Sequence, residues 1–137
     1  MIMVTGGSFQ NKTAYALKVT GLMESDIIDG AECTEKDALE AKGISNYHTF
    51  IKRFFLNGGD PLVFTEKLCR RSVKVVIMDE IGCGIVPIDR NDRAIREAVG
   101  RCGCIIAENS HTVVRVCCGI PTIIKGAEND HQPYTSR

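Results

Sequence analysis

The sequence predicts an α/β protein of three layers, helices covering both faces of a mostly parallel sheet. Three observations predict it. Short apolar runs alternate with stretches of helical periodicity, the order expected of parallel strands joined by helical crossovers. The run Val73-Lys74-Val75-Val76-Ile77-Met78 is almost wholly apolar, as a strand buried on both faces should be. Polar signals stand at the ends of the apolar runs, at Thr5-Gly6-Gly7, Asp29 and Asp79-Glu80. In open sheets of this kind ligands bind beyond the carboxyl ends of the strands.

The elements follow in order. Residues 1–4 form a first strand, broken by Thr5-Gly6-Gly7, and a helix follows over 12–19. Asp26-Ile27-Ile28-Asp29 is a second short strand ending in a carboxylate. Thr34 with Asp37 behind it resembles a helix start, and 37–42 continues it with good helix formers. Tyr47, Phe50, Ile51, Phe54 and Phe55 recur at helical spacing, which predicts a helix over 47–56. Asn57-Gly58-Gly59-Asp60-Pro61 stops it, and 62–71 is the next helix. After the strand 73–78, Gly82, Gly84 and Pro87 mark a loop. Apolar positions at 94, 95, 98, 99, 102, 105 and 106 predict a long helix over 91–107. Two strands, 112–118 and 121–124, close the fold, the last one an edge. Residues 1–127 are read as one domain and 128–137 as a polar tail.

The chain has 137 residues, 44% apolar and 25% charged, the balance of an ordinary globular domain. Seventeen basic and seventeen acidic residues cancel, so no field of one sign argues for nucleic acid or an anionic membrane as partner. The apolar runs are too short to span a bilayer, and the first residues lack the pattern of a secretory signal. The expectation is a cytoplasmic protein. Its seven cysteines are scattered without a Cys-x-x-Cys pair. They read as small buried thiols in a reducing compartment, with a thiol–His111 metal site as the alternative.

Gly6-Gly7-Ser8-Phe9-Gln10-Asn11-Lys12-Thr13 carries the sharpest chemistry. A phosphate-binding loop has glycine, four residues, then Gly-Lys-Ser/Thr. Gly6, Lys12 and Thr13 match, and Asn11 stands at the second glycine. Backbone amides of such a loop, including Gly7 and Ser8, point inward and cradle phosphate oxygens, and the following helix adds its positive end. Lys12 would reach the outer phosphates, and the Thr13 hydroxyl would ligate Mg2+. If position 11 needs a positive φ, asparagine is the least costly substitute, although its side chain adds bulk beside the phosphate. A plain strand–turn–helix junction fits the same residues. Glu80 and Asp29, at strand ends, are candidates for orienting the metal, or merely cap turns. His48, His111 and His131 form no nucleophilic arrangement, and the Phe-rich helix reads as core or subunit interface.

These residues together resemble the adenosylcobinamide kinase / adenosylcobinamide-phosphate guanylyltransferase family. The resemblance lies in residues 1–16 and, more specifically, in 73–125. There Asp79-Glu80-Ile81-Gly82-Cys83-Gly84-Ile85-Val86-Pro87 is similar to the family's Glu-Val-Gly-x-Gly-Ile-Val-Pro, and Arg90, Arg93, Arg96 and Gly100 to its arginine-spaced helix. It implies a P-loop NTPase-like (RecA-like) fold. It also implies Mg2+ and ATP or GTP as co-substrate, a cobinamide-type acceptor, and a homo-oligomer, a trimer. Lys12 and Glu80 would be catalytic, and Arg93 and Arg96 would approach the nucleotide. The chain departs from the family at Asn11 and at Gly103-Cys104, where the family has Asn-Gln. It also lacks the His- and Arg-rich motif that holds the family's guanylylated histidine. The implied activity is therefore the kinase half, and a homologue that binds or regulates without catalysis is the alternative.

Overall fold

The computed structural model describes residues 1–8, 10–80 and 90–126. Among these residues six strands form one sheet in the order β2-β3-β4-β1-β5-β6. They are β1 (Ile2–Gly6), β2 (Ile27–Asp29), β3 (Gly43–Ser45), β4 (Val75–Asp79), β5 (Thr112–Cys117) and β6 (Ile120–Lys125). The helices are α1 (Lys12–Thr20), α2 (Glu35–Glu40), α3 (Tyr47–Leu56), α4 (Pro61–Cys69) and α5 (Arg90–Asn109), with a short 3-10 turn at Glu24–Asp26. The first five strands are parallel and β6 is antiparallel. This is the expected architecture.

Alternation along the central strands splits the core in two. Val4, Val75, Ile77, Val114 and Val116 pack against Tyr15 and Ala16 of α1 on one face. Met3, Val76, Met78 and Val113 face the other way, onto α3, α4 and α5. That is why the residue pattern of β4 is apolar at both parities: residues 75–78 are all buried.

Local chemistry explains the helix ends. Thr34 and Asp37 close a reciprocal capping box at the start of α2, as the sequence predicts, although the helix runs Glu35–Glu40 and not 37–42. The Asp60 carboxylate accepts from the amides of Leu62 and Val63, with Pro61 in the first turn of α4, where a missing N–H costs nothing. The Phe-rich α3 turns its rings inward. Tyr47 and Phe50 are buried, and Phe54 packs on Phe50 and Phe64 with ring centres 5.9 and 5.0 Å apart. Its rings serve the core, and among the described residues the exposed large apolar side chains are Met23, Leu56, Val63, Ile120 and Ile124.

β3 is the element that the sequence hides. Three residues cannot display an alternation, and Gly43 adds no apolar signal. The strand exists because β2 and β4 flank it, pairing Ile27 and Val75 with Gly43. A side chain at Gly43 would press into Val75 and Ile27. At the other edge β5 and β6 are joined by Cys118-Gly119, with φ of 52° and 77°, a two-residue hairpin turn of the kind that suits strand twist. The thiols divide: Cys33 and Cys102 are buried, Cys69 half-buried, and Cys104, Cys117 and Cys118 exposed. The buried reading thus fails for the last three. The expected loop at Gly82, Gly84 and Pro87, Cys83 and the polar tail 128–137 lie outside the described residues. No described helix is long and apolar enough to cross a membrane.

Candidate functional site

The site begins where β1 ends. Gly6 pairs in register with Asp79 of β4 on one side and Val116 of β5 on the other. Its φ is 148°, and a side chain there would collide with the Val116 carbonyl. Only glycine lets the chain leave the middle of the sheet at this point and turn into the loop that feeds α1. Asn11 is the N-cap of α1 with φ 62° and ψ 33°, so the position does require the left-handed conformation, which asparagine adopts at low cost. The Asn11 amide lies near Gly119 of the hairpin turn. The Cys118 amide donates to the Gln10 side-chain carbonyl. The turn between β5 and β6 therefore braces the outer side of the glycine loop.

Lys12 is the first residue of α1 and only 8% exposed. Its ammonium donates to the Gly7 carbonyl at 2.6 Å and lies 2.7 Å from Asp79 Oδ1. Asp79 Oδ2 accepts from Ser8 Oγ at 2.8 Å. His48, in the first turn of α3, accepts the Asp79 backbone amide on Nδ1 at 3.0 Å and faces Oδ2 with Nε2 at 3.5 Å. Burial works against the Asp79 charge. The bonds from Lys12 and Ser8 and the nearby His48 outweigh it, and hold the carboxyl below its ordinary value. Burial likewise pushes the His48 pKa down, with Asp79 pulling it up and Lys12 pushing it further down. His48 is neutral in this arrangement, because an Nδ1 that accepts a bond carries no proton.

A cavity of about 390 Å3 opens beside this cluster. Ser8, Lys12, Thr13 and Asp79 line it, with Asn11 at the mouth of the loop and Ser45 and Asn46 from the end of β3. A cavity of about 420 Å3 between Arg53, Phe54 and Gly59 contains none of the loop residues. The smaller cavity is the better candidate, since it holds the buried lysine, its carboxylate and a helix N-terminus together. Its donors are hydroxyl and carboxylate oxygens, the hard ligands that Mg2+ takes. Among the described residues no group of three or more His, Cys, Asp or Glu side chains could hold a metal by itself, which also leaves the thiol–His111 site without support. Thr13 and Asp79 fit an ion that draws most of its ligands from phosphate and water.

The residues singled out from the sequence fall in four places. Gly6, Gly7, Ser8, Asn11, Lys12 and Thr13 form the loop and the start of α1. Glu80 follows Asp79, but its carboxylate lies 3.0 Å from Arg115 Nε, and its amide donates to the Gly6 carbonyl. The acid that meets Lys12 is Asp79. Asp29 ends β2, and its Oδ1 accepts from the Ala31 amide and from Asn46 Nδ2 at 2.9 and 3.0 Å. It does not line the cavity. Arg93 is exposed and Arg96 half-buried on α5, and neither lines the cavity. Sequence reasoning missed His48, Asn46 and the choice of Asp79 over Glu80. The signal for all three was the register across β3, β4 and β1.

A glycine loop between the first strand and helix of a parallel sheet, with a buried lysine answered by an acid on the neighbouring strand, defines a P-loop NTPase-like α/β protein. More particularly, residues 62–124 are similar to the family of cobinamide kinase / cobinamide phosphate guanyltransferase. The similarity begins in the first turn of α4 and ends near the close of β6. The glycine loop lies outside it. No curated protein matches the chain.

Proposed function

We propose that the chain binds ATP or GTP with Mg2+ in this cavity and transfers the terminal phosphoryl group to a hydroxyl of a cobinamide-type substrate. The observation that carries the reading is the meeting of Lys12 with Asp79. The loop sequence brings an ammonium to the centre of the sheet edge, and β4 delivers a carboxylate to it. Without a nucleotide the two neutralise one another. With one, Lys12 can turn to the phosphates, and Asp79 and Thr13 become available to a cation. Bound there, Mg2+ would neutralise charge on the transferring group. Phosphoryl transfer asks the protein for position and charge rather than covalent chemistry. The acceptor oxygen forms its bond to phosphorus as the bridging oxygen leaves with the nucleoside diphosphate, and the acceptor proton is released.

Guanylyl transfer through a covalent histidine does not belong to this proposal. His48 has Nδ1 bonded to the Asp79 amide and Nε2 turned to its carboxylate, and does not line the cavity. A cytoplasmic setting and a homo-oligomer, a trimer by family resemblance, complete the reading; light scattering tests the latter. Thermal unfolding with Mg2+ and each nucleotide tests the function. A bound ligand at a hundredfold excess over its dissociation constant stabilises by about 2.7 kcal/mol. Wild type should show the shift and Lys12→Ala should not. Shifts in neither protein would favour a homologue that keeps the fold without nucleotide chemistry.

A further inference from the structure

We propose that His48 is the positioning residue for Asp79, holding the backbone of that acid in place when Lys12 releases its side chain. The inference rests on the nucleotide reading above and assigns a role within it.

The need for such a residue follows from the sheet. Successive backbone amides of a strand point to opposite neighbours. The Glu80 amide points toward β1 and donates to Gly6, so the Asp79 amide points toward β3. There β3 has already ended. Its pairing with β4 reaches only Ile44 with Val76, and Ser45 is its last residue. A half-buried amide without an acceptor is costly. The chain supplies the acceptor from the next element: Asn46 takes a left-handed φ of 52° and turns the backbone into α3. His48, two residues on, then meets the Asp79 amide with Nδ1 at 3.0 Å. The imidazole replaces the missing rung of the sheet.

The side-chain contacts of Asp79 are of a different kind. Oδ1 is held by Lys12, which the nucleotide would take, and Oδ2 by Ser8 of the same loop. Nε2 stands 3.5 Å from Oδ2, too far for a strong bond. His48 therefore acts on Asp79 through the main chain. Of the groups described on Asp79, it belongs to neither the glycine loop nor α1, so it can stay in place as the loop closes on phosphate.

The test separates the amide contact from the ring. Asparagine at 48 can present an oxygen where Nδ1 now sits. Glutamine reaches toward the carboxylate and leaves the amide unanswered, and alanine supplies neither. Affinity for ATP and GTP is measured by calorimetry with Mg2+ and again with EDTA, in wild type, His48→Asn, His48→Gln and His48→Ala, with unfolding midpoints recorded to confirm folded protein. The expected result is a roughly tenfold weaker Mg2+-dependent affinity in the alanine and glutamine variants. Metal-free affinity should stay within twofold, and asparagine should restore the wild-type value. A purely structural role would lower both affinities together. Equal affinities in all four proteins, an asparagine variant as weak as alanine, or a covalent nucleotide adduct on His48 would each overturn the inference. Wild type that binds neither nucleotide would instead remove the functional reading, and the inference with it.

Discussion

Asp79 and Asp29 look alike in the sequence and differ in the fold. Each ends a short strand after two apolar residues, Ile77-Met78-Asp79 in one case and Ile27-Ile28-Asp29 in the other. Asp79 ends β4, beside β1, and meets the buried Lys12. Asp29 ends β2 at the sheet edge and ties down its own turn through Ala31 and Asn46. Both carboxyls are held below their ordinary value. For Asp29 the cause is the bond from Asn46, then the Ala31 amide; for Asp79 it is Lys12 and Ser8 working against burial. Strand order, not local sequence, decides which acid can serve a phosphate site.

That contrast can be sharpened by removing one side of it. Asp79→Ala leaves the 8%-exposed Lys12 without its counter-charge. Breaking a buried pair is costly, and with Asp79 itself partly open to solvent about 2 kcal/mol of folding stability should go, read as a lower urea midpoint. Asp29→Ala should cost about 1 kcal/mol, the worth of a turn's hydrogen bonds. A smaller effect should appear in acid. A carboxyl with a depressed folded pKa contributes stability above its unfolded value of 3.8, and that contribution is lost as pH falls through the lower folded value. His48, whose pKa is also depressed, adds a loss that begins below 6.5. Asp79→Asn should flatten the acid part of the curve, seen as a weaker dependence of the urea midpoint on pH below about 4. The smallest effect is expected at the loop. Asn11 already has the left-handed φ of 62°, so Asn11→Gly should change nucleotide affinity by no more than about threefold. A large gain would mean that the asparagine side chain blocks the phosphate.

Much of the architecture was legible because it rests on local chemistry. Thr34 with Asp37 and the ring spacing of α3 each announce a helix through groups a few residues apart, whereas Asp60-Pro61 reads as the stop of α3 and proves to be the cap of α4. The run at β4 announces a strand buried on both faces. What escaped depends on partners distant in sequence. β3 has three residues and owes its existence to β2 and β4. With β3 unseen, the start of α3 could not be placed beside the end of β4, and His48 read as a bystander. The choice between Asp79 and Glu80 turned on parity. Gly6 pairs with Asp79, so one acid faces Lys12 and the next faces Arg115. The glycine loop and Lys12 were readable from a motif, and the motif's one irregular position became intelligible only with its backbone angle.

The most direct measurement is calorimetric titration of Mg2+–ATP and Mg2+–GTP into wild type, Asp79→Asn and Asp29→Asn. Both substitutions keep the shape of the side chain and remove one charge. The account predicts that Asp79→Asn binds about a hundredfold more weakly, roughly 2.7 kcal/mol, while Asp29→Asn binds like wild type. Equal losses in the two variants, or binding unchanged in Asp79→Asn, would contradict it.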